Sequence, residues 1–248
     1  MAYLIYGVVK EPAVVVSSMT GMKGQAVSFV AGHGLCAVVS ELDAAEGAPP
    51  VWELLAYSRV VEDLHHLQAV VPMRYGCFLN GIDAIRNTLK ERQCQYEILL
   101  AQLAGHVEMG IRILLPENRL QPQQEEAMKG RDALSTSETT VDGRAYLALR
   151  KVHYQMHDEM LHGRQALINC YTQTFSGLYA KYRAETDTKN GAVILSLYFL
   201  TPEIKVNRFR EAFRIMLEKE NAEALLSGPW PPYNFVTTDL ALAQFTPP

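Results

Sequence analysis

The densest group of residues able to do chemistry is the run HYQMHDEMLH, which holds His153, His157, Asp158, Glu159 and His162. On a helix, His153 and His157 share a face at i,i+4, the spacing that brings two imidazoles to one metal ion. Asp158 and His162 form a second such pair. The two pairs point roughly 100° apart around the helix axis, and no cysteine or further carboxylate motif is tied to them. A solvated helix face rich in histidine accounts for the run better, because isolated motif matches carry a high false-positive rate. A metal-dependent enzyme built on His153, His157 and His162 is one rival reading, and a small-ligand regulatory module is another.

The remaining chemical signals are weaker. His65 and His66 are adjacent on a helix, so they diverge and cannot chelate together; one belongs at the core edge and one in water. Gly32-His33-Gly34 lacks the third glycine and the following helix of a dinucleotide loop, and it reads instead as a hairpin turn. The chain has no GxxxxGK[ST], GxSxG or HExxH motif. Cys77 has no histidine or asparagine that the sequence places beside it, so a small buried thiol is expected there. No catalytic, metal or cofactor-binding residue is assigned, and no cofactor is expected.

Composition agrees. The 248 residues are 48% hydrophobic and 20% charged, which is ample for a folded core. A net charge of −4 gives no basic footprint for nucleic acid or an anionic membrane. Cys36, Cys77, Cys94 and Cys170 form no CxxC pair, so reduced thiols in a cytoplasmic protein are expected. The opening MAYLIYGVVK lacks a positive n-region and a cleavage site and reads as a strand. The longest apolar run, AVILSLYFL at 192–200, is strand-sized.

The elements that must carry these residues follow from periodicity. Tyr3–Val9, Val27–Val30 and Leu35–Ser40 are strands, the last two joined by the hairpin turn AGHG. Leu54, Leu55, Tyr57, Val61, Leu64 and Leu67 mark a helix opened by Pro50. AVVPMRYGCFL predicts one strand, at an edge or bulged because of Pro72. A single helix is expected from Asp83 to about Leu103. In HVEMGIRILL, Val107, Met109, Ile111 and Ile113 alternate with Glu108, Gly110 and Arg112, the pattern of a half-buried strand. This order predicts an α+β domain over 1–116, with helices on one face of an antiparallel sheet.

Residues 117–141 are polar, and a structureless loop of that length inside a domain is unusual, so they read as a connection. A smaller α+β domain is expected over 142–228. Leu149, Val152, Met156 and Met160 mark one helix, and Leu167, Tyr171, Phe175, Leu178 and Tyr182 a second. TDTKNG reads as a turn before the 192–200 strand. Val206, Phe209, Phe213 and Leu217 mark another helix, and AEALLSG a closing strand. The tail is 229–248.

Two features look outward. Arg74 is a charge inside an otherwise apolar stretch, beside Tyr75, and suits a partner-facing anchor as well as a water-facing one. The strip SGPWPPYNF holds Pro229, Pro231 and Pro232, so it is neither helix nor central strand. A cis bond is most expected at Trp230-Pro231. Trp230, Tyr233 and Phe235 would expose much apolar area if left in water, so the strip is expected to pack on the body. One ring is free to dock inward while another faces out.

Taken in order, YLIYGVV, GLCAVVSEL, VVEDLHHLQAVVPMRYGCFL, GHVEMGIRILL, GRAYLALRK and GPWPPYNFV resemble the gas vesicle protein F/L family, with the compact length leaning to the F branch. VPMRYG and GPWPPYNF carry the resemblance best. It implies two α+β halves, the first ferredoxin-like and the second a smaller variant with long helices. It also implies an accessory role in gas vesicle formation: a minor component contacting the small hydrophobic shell protein and other accessory proteins. No catalytic residues come with it. Within the matched motifs, Arg74, Tyr75, Trp230, Tyr233 and Phe235 are the structural or contact candidates.

Overall fold

The computed structural model describes residues 1–11, 19–42, 49–115, 162–189, 192–220 and 224–236. Its compact units do not follow chain order. One comprises 1–109, 199–206 and 227–248, and the other 110–198 and 207–226. The connection expected at 117–141 lies outside the described residues.

In the first unit, β1 (Ala2–Lys10), β2 (Ser28–Gly32), β3 (Leu35–Glu41), β4 (Val70–Pro72) and β5 (Phe78–Asn80) form one sheet in the order β2-β3-β1-β4. β5 also pairs with β1, and every pairing is antiparallel. The β2–β3 turn places His33 at φ 56° and Gly34 at φ 74°, the two left-handed positions a tight hairpin requires. β1 is buried along most of its length on both faces. Ile5 and Val8 face one core with Val39 and Val71, while Leu4, Tyr6 and Val9 face another with Val38 and Val70. Strict alternation would put Val8 with Tyr6. A register shift between Ile5 and Gly7 resets the parity.

Helices cover both faces of this sheet, not one as expected. α1 (Val51–Leu67) packs Tyr57, Val60, Val61 and Leu64 on the Tyr6 side. α2 (Ile82–Glu91) and α3 (Gln93–Leu103) bring Ile85, Leu89, Tyr96, Leu99 and Leu103 to the Ile5 side. The physical reason lies in β1 itself, whose nearly continuous apolar run needs cover on both faces. The single helix expected from Asp83 is broken at Arg92, where φ is −109° and ψ 16°. No glycine or proline marks the break. One turn earlier the Thr88 hydroxyl donates to the Ala84 carbonyl at 2.9 Å, a bond that tends to bend helices.

A polar relay closes the 19–27 loop over the Tyr6 face. Met22 N–H donates to the Tyr6 hydroxyl (2.9 Å), which donates to Ser40 Oγ (3.1 Å), which donates to the Ala26 carbonyl (2.9 Å). A β-carbon at Gly21 would collide with the Tyr6 hydroxyl and with Ser40 Oγ. Gly21→Ala is therefore expected to cost about 2 kcal/mol by breaking this relay. Urea unfolding checks it: the penalty should fall by at least half in a Tyr6→Phe background, where the main obstruction is gone.

β6 (His106–Leu115), β7 (Lys181–Lys189), β8 (Ala192–Pro202) and β9 (Ala224–Trp230) form a second sheet in the order β7-β8-β6-β9. Residues 162–174 form α4, and α5 spans Val206–Glu220. In the second unit Ile111, Ile113, Ile168, Tyr171, Phe175, Leu195, Leu197, Phe209, Phe213 and Met216 are buried, and Phe175 stacks on Phe209 with centroids 4.3 Å apart. The helix expected to reach Tyr182 stops at residue 174, and Tyr182 lies on β7. TDTKNG, expected as a turn, is strand as far as Lys189, where β7 ends; its last two residues lie outside the described ones. Pairing at a sheet edge accepts so polar a strand, and its charges discourage further pairing.

Candidate functional site

The stretch expected as one strand around Arg74 is divided. Pro72 ends β4, β5 starts at Phe78, and residues 73–77 loop out between them. Both ends stay tied to β1: Met73 N–H donates to the Tyr6 carbonyl and Ile5 N–H to the Cys77 carbonyl, each at 2.9 Å. Arg74 is thus exposed on a loop, not set in a strand. Pro72 is tolerated at the end of β4 because the N–H it lacks would point away from β1; the next one along, that of Met73, is the one that reaches Tyr6. Both short strands lie at the sheet edge, beside β1.

Tyr57, which the sequence presents only as one of a helical stripe, holds this loop from below. Its hydroxyl proton is shared between the Met73 carbonyl (2.8 Å) and the Ile5 carbonyl (3.0 Å). Burial first, and then the neighbouring Tyr233, Cys77, Tyr6 and Tyr75, raise its phenol well above the usual range, so it stays a donor. Tyr75 meets the Tyr57 ring edge-on at 5.7 Å and the Phe78 ring at 6.4 Å.

The C-terminal strip lies against the same unit. β9 is an edge strand and extends to Trp230, which suits prolines that cannot donate. The cis bond falls at Gly228-Pro229, not at the expected Trp230-Pro231. Pro231 and Pro232 are buried; Pro232 takes φ −78° and ψ 62°, and Tyr233 N–H reaches back to the Pro231 carbonyl at 2.8 Å. That is an inverse γ-turn, and proline's fixed φ favours it. It sends the three rings in different directions. Tyr233 packs against the Tyr6–Tyr57 core, Phe235 against the Ile5–Leu99 core, and Trp230 stays 45% exposed. Burial, with Glu62 and Glu108 adding negative charge nearby, raises the Tyr233 phenol strongly.

What locks the strip is a pair of residues not among the candidates. Glu108, on β6, is only 4% exposed. Its Oε2 accepts the Asn234 backbone N–H at 2.8 Å and its Oε1 accepts Asn234 Nδ2 at 2.7 Å. The Asn234 side-chain Oδ1 in turn accepts from the Arg74 guanidinium at 3.3 Å. Alternation places Glu108 on the wet side of β6, with Arg112; Arg112 is exposed and Glu108 is not. The strip covers Glu108 and supplies its donors, as a buried carboxylate requires. One signal was present in the sequence: an acid inside an apolar strand, and a single Asn within the Pro-aromatic strip.

Other candidates fall elsewhere. His153 and His157 lie outside the described residues, and His162 opens the described part of α4. Among the described residues no group of His, Cys, Asp or Glu is placed to hold a metal ion, and no helix is long and apolar enough to cross a membrane. His65 is half-buried and His66 exposed. Burial lowers the His65 pKa, against an upward pull from Glu203. In the second unit Arg112, Glu185, Asp187, Ser196 and Tyr198 line a shallow polar hollow of about 540 Å³.

Two antiparallel sheets with helices, and an aromatic face covered by the C-terminal strip, define an α+β protein. The same fold is found in the crystal structure of gas vesicle protein GvpF from Microcystis aeruginosa, at a TM-score of 0.77 and 15% identity, covering 96% of this chain and 99% of that one. GvpF from Anabaena sp. PCC7120 gives 0.73 and 17%, covering 96% of each. Gas vesicle proteins F2 and F1 of Halobacterium salinarum are 23% and 22% identical, over 96% and 85% of this chain and 94% and 81% of their own lengths. Residues 2–237 match the family described as gas vesicle synthesis protein GvpL/GvpF. The chain belongs to that family, and the F branch is consistent with these relatives.

Proposed function

We propose that this protein is a non-catalytic assembly factor of gas vesicles, made in the cytoplasm, that binds the small hydrophobic shell protein and other gas vesicle accessory proteins. Family membership supports the gas vesicle setting. The observation that carries the binding role is Trp230. It stays 45% exposed at the end of a strip whose next residues are fixed by the γ-turn and the Glu108–Asn234 bonds. A large ring held rigidly in water loses little entropy on docking, and Trp and Arg are favoured anchors of protein interfaces. Arg74 and Tyr75 border the same strip and complete the contact face.

The test measures direct binding of the purified protein to the shell protein, with Trp230→Ala and Arg74→Ala beside the parent. Each substitution is expected to weaken binding about tenfold with little change in melting temperature, since a central anchor is worth about 1–2 kcal/mol or more. Unchanged binding, or a loss that only follows a lowered melting temperature, would assign these residues a structural role and refute the contact face.

A further inference from the structure

The first unit holds a second recognition feature, distinct from Trp230. On the α3 side of the sheet a small open cavity of about 120 Å³ lies beside the 73–77 loop. Its apolar lining comes from Val71, Met73, Tyr96, Leu99 and Val236. A water occupies about 30 Å³ of liquid, so the space suits a few waters or one branched aliphatic side chain.

Its charged lining has one sign. Arg74 and Arg92 both border the cavity, and no carboxylate does among the described residues. Neither guanidinium is in an ion pair among the described residues. Arg74 reaches the neutral Asn234 amide at 3.3 Å, and Arg92 bonds the Tyr96 hydroxyl. Each guanidinium has five N–H donors in a planar fork that matches a carboxylate, so donors remain after these single contacts. An apolar hole flanked by two unpaired arginines is complementary to an aliphatic group with a carboxylate next to it.

We propose that this cavity is a side-chain docking site for a protein partner. It takes one branched aliphatic side chain, such as leucine, from a partner segment whose adjoining Asp or Glu pairs with Arg74 and Arg92. The claim goes beyond the shell-binding role and does not depend on which protein brings the segment.

Cys77 lines the cavity and reports its occupancy. The experiment follows iodoacetamide alkylation of Cys77 in the full chain carrying Cys94→Ser and Cys170→Ser; the remaining thiol, Cys36, is buried. The probes are short blocked peptides centred on Asp-Leu, on Lys-Leu and on Asp-Gly. The Asp-Leu peptide at millimolar concentration is expected to slow alkylation saturably, by at least about fivefold, as a filled pocket excludes the reagent. The other two peptides should leave the rate unchanged. Arg92→Gln and Arg74→Gln should each raise the half-saturating concentration about tenfold, the loss of one charge-assisted contact. No slowing, or equal slowing by the Lys-Leu peptide, overturns the proposal. So does faster alkylation on Asp239→Lys or Leu240→Gly, which would make the chain's own C-terminal residues the occupant. Because the readout is a rate at Cys77, it can fail while shell-protein binding succeeds, and the reverse.

Discussion

Asn234→Asp is expected to be among the most damaging single-atom-scale changes this protein can suffer, and its damage should depend on pH. It replaces the Nδ2 donor, 2.7 Å from a carboxylate oxygen of the buried Glu108, with a second carboxylate oxygen. Two carboxylates at that separation cannot both stay ionised in a desolvated setting, so either one takes up a proton or the strip detaches. At pH 7.5 the cost should be about 3–4 kcal/mol, the scale of leaving a buried charge without its partner. The pair's folded pKa is raised above the unfolded carboxylate value. Its penalty is therefore absent below the unfolded pKa and grows as pH rises towards the folded one. Urea unfolding at pH 4.5 and 7.5 should show the variant close to the parent at the lower pH and far below it at the higher. Asn234→Ala should cost about 2 kcal/mol with little of this pH dependence, because it removes a donor without adding a charge. Equal stability of parent and Asn234→Asp at pH 7.5 would mean that Glu108 does not hold the strip.

The second large effect is expected at Gly228. Its φ of 106° is a conformation that side chains resist. A β-carbon there would lie 2.6 Å from the Glu108 backbone oxygen and 3.3 Å from the Met109 sulfur. The sulfur can shift, but the backbone oxygen belongs to β6 and cannot shift without moving the strand. Gly228→Ala thus combines backbone strain with overpacking and should cost about 3 kcal/mol. It should also lift the rest of the strip, in which Trp230 lies two residues later. Trp230 fluorescence, read in a Trp52→Phe background, reports that displacement separately from global stability. A variant with parental stability and an unchanged Trp230 spectrum would show that the close approach of β9 to β6 is not required.

Both effects converge on Glu108, and its history shows how far the sequence could be read. Period-two alternation correctly identified HVEMGIRILL as a strand, and the same alternation then placed Glu108 in water. Alternation reports which residues share a face, and it is silent on what covers that face. The cover comes from residues 126 positions later in the chain. Arg74 follows the same pattern. Its chemistry was legible as a charge beside a tyrosine, but the stretch divides after Pro72, and Arg74 lies on a loop within reach of Asn234. The stiffness of the strip was legible for one reason: prolines constrain a chain locally, and local constraint survives any tertiary context. The outcome of two rings in and one out needed the γ-turn at Pro232.

By itself, then, the amino-acid order settled the α+β class, the β2–β3 hairpin, α1 and the gas vesicle family. All of these rest on interactions between neighbours a few residues apart, or on motifs that read in line. Only the tertiary structure decided that helices cover both faces of the first sheet, that Arg92 divides a helix, that Tyr182 is in a strand, and that Glu108 is the buried anchor of the C-terminal strip. Each of these depends on which distant surface removes a residue from water, and desolvation is a property of the assembled fold, not of the local sequence.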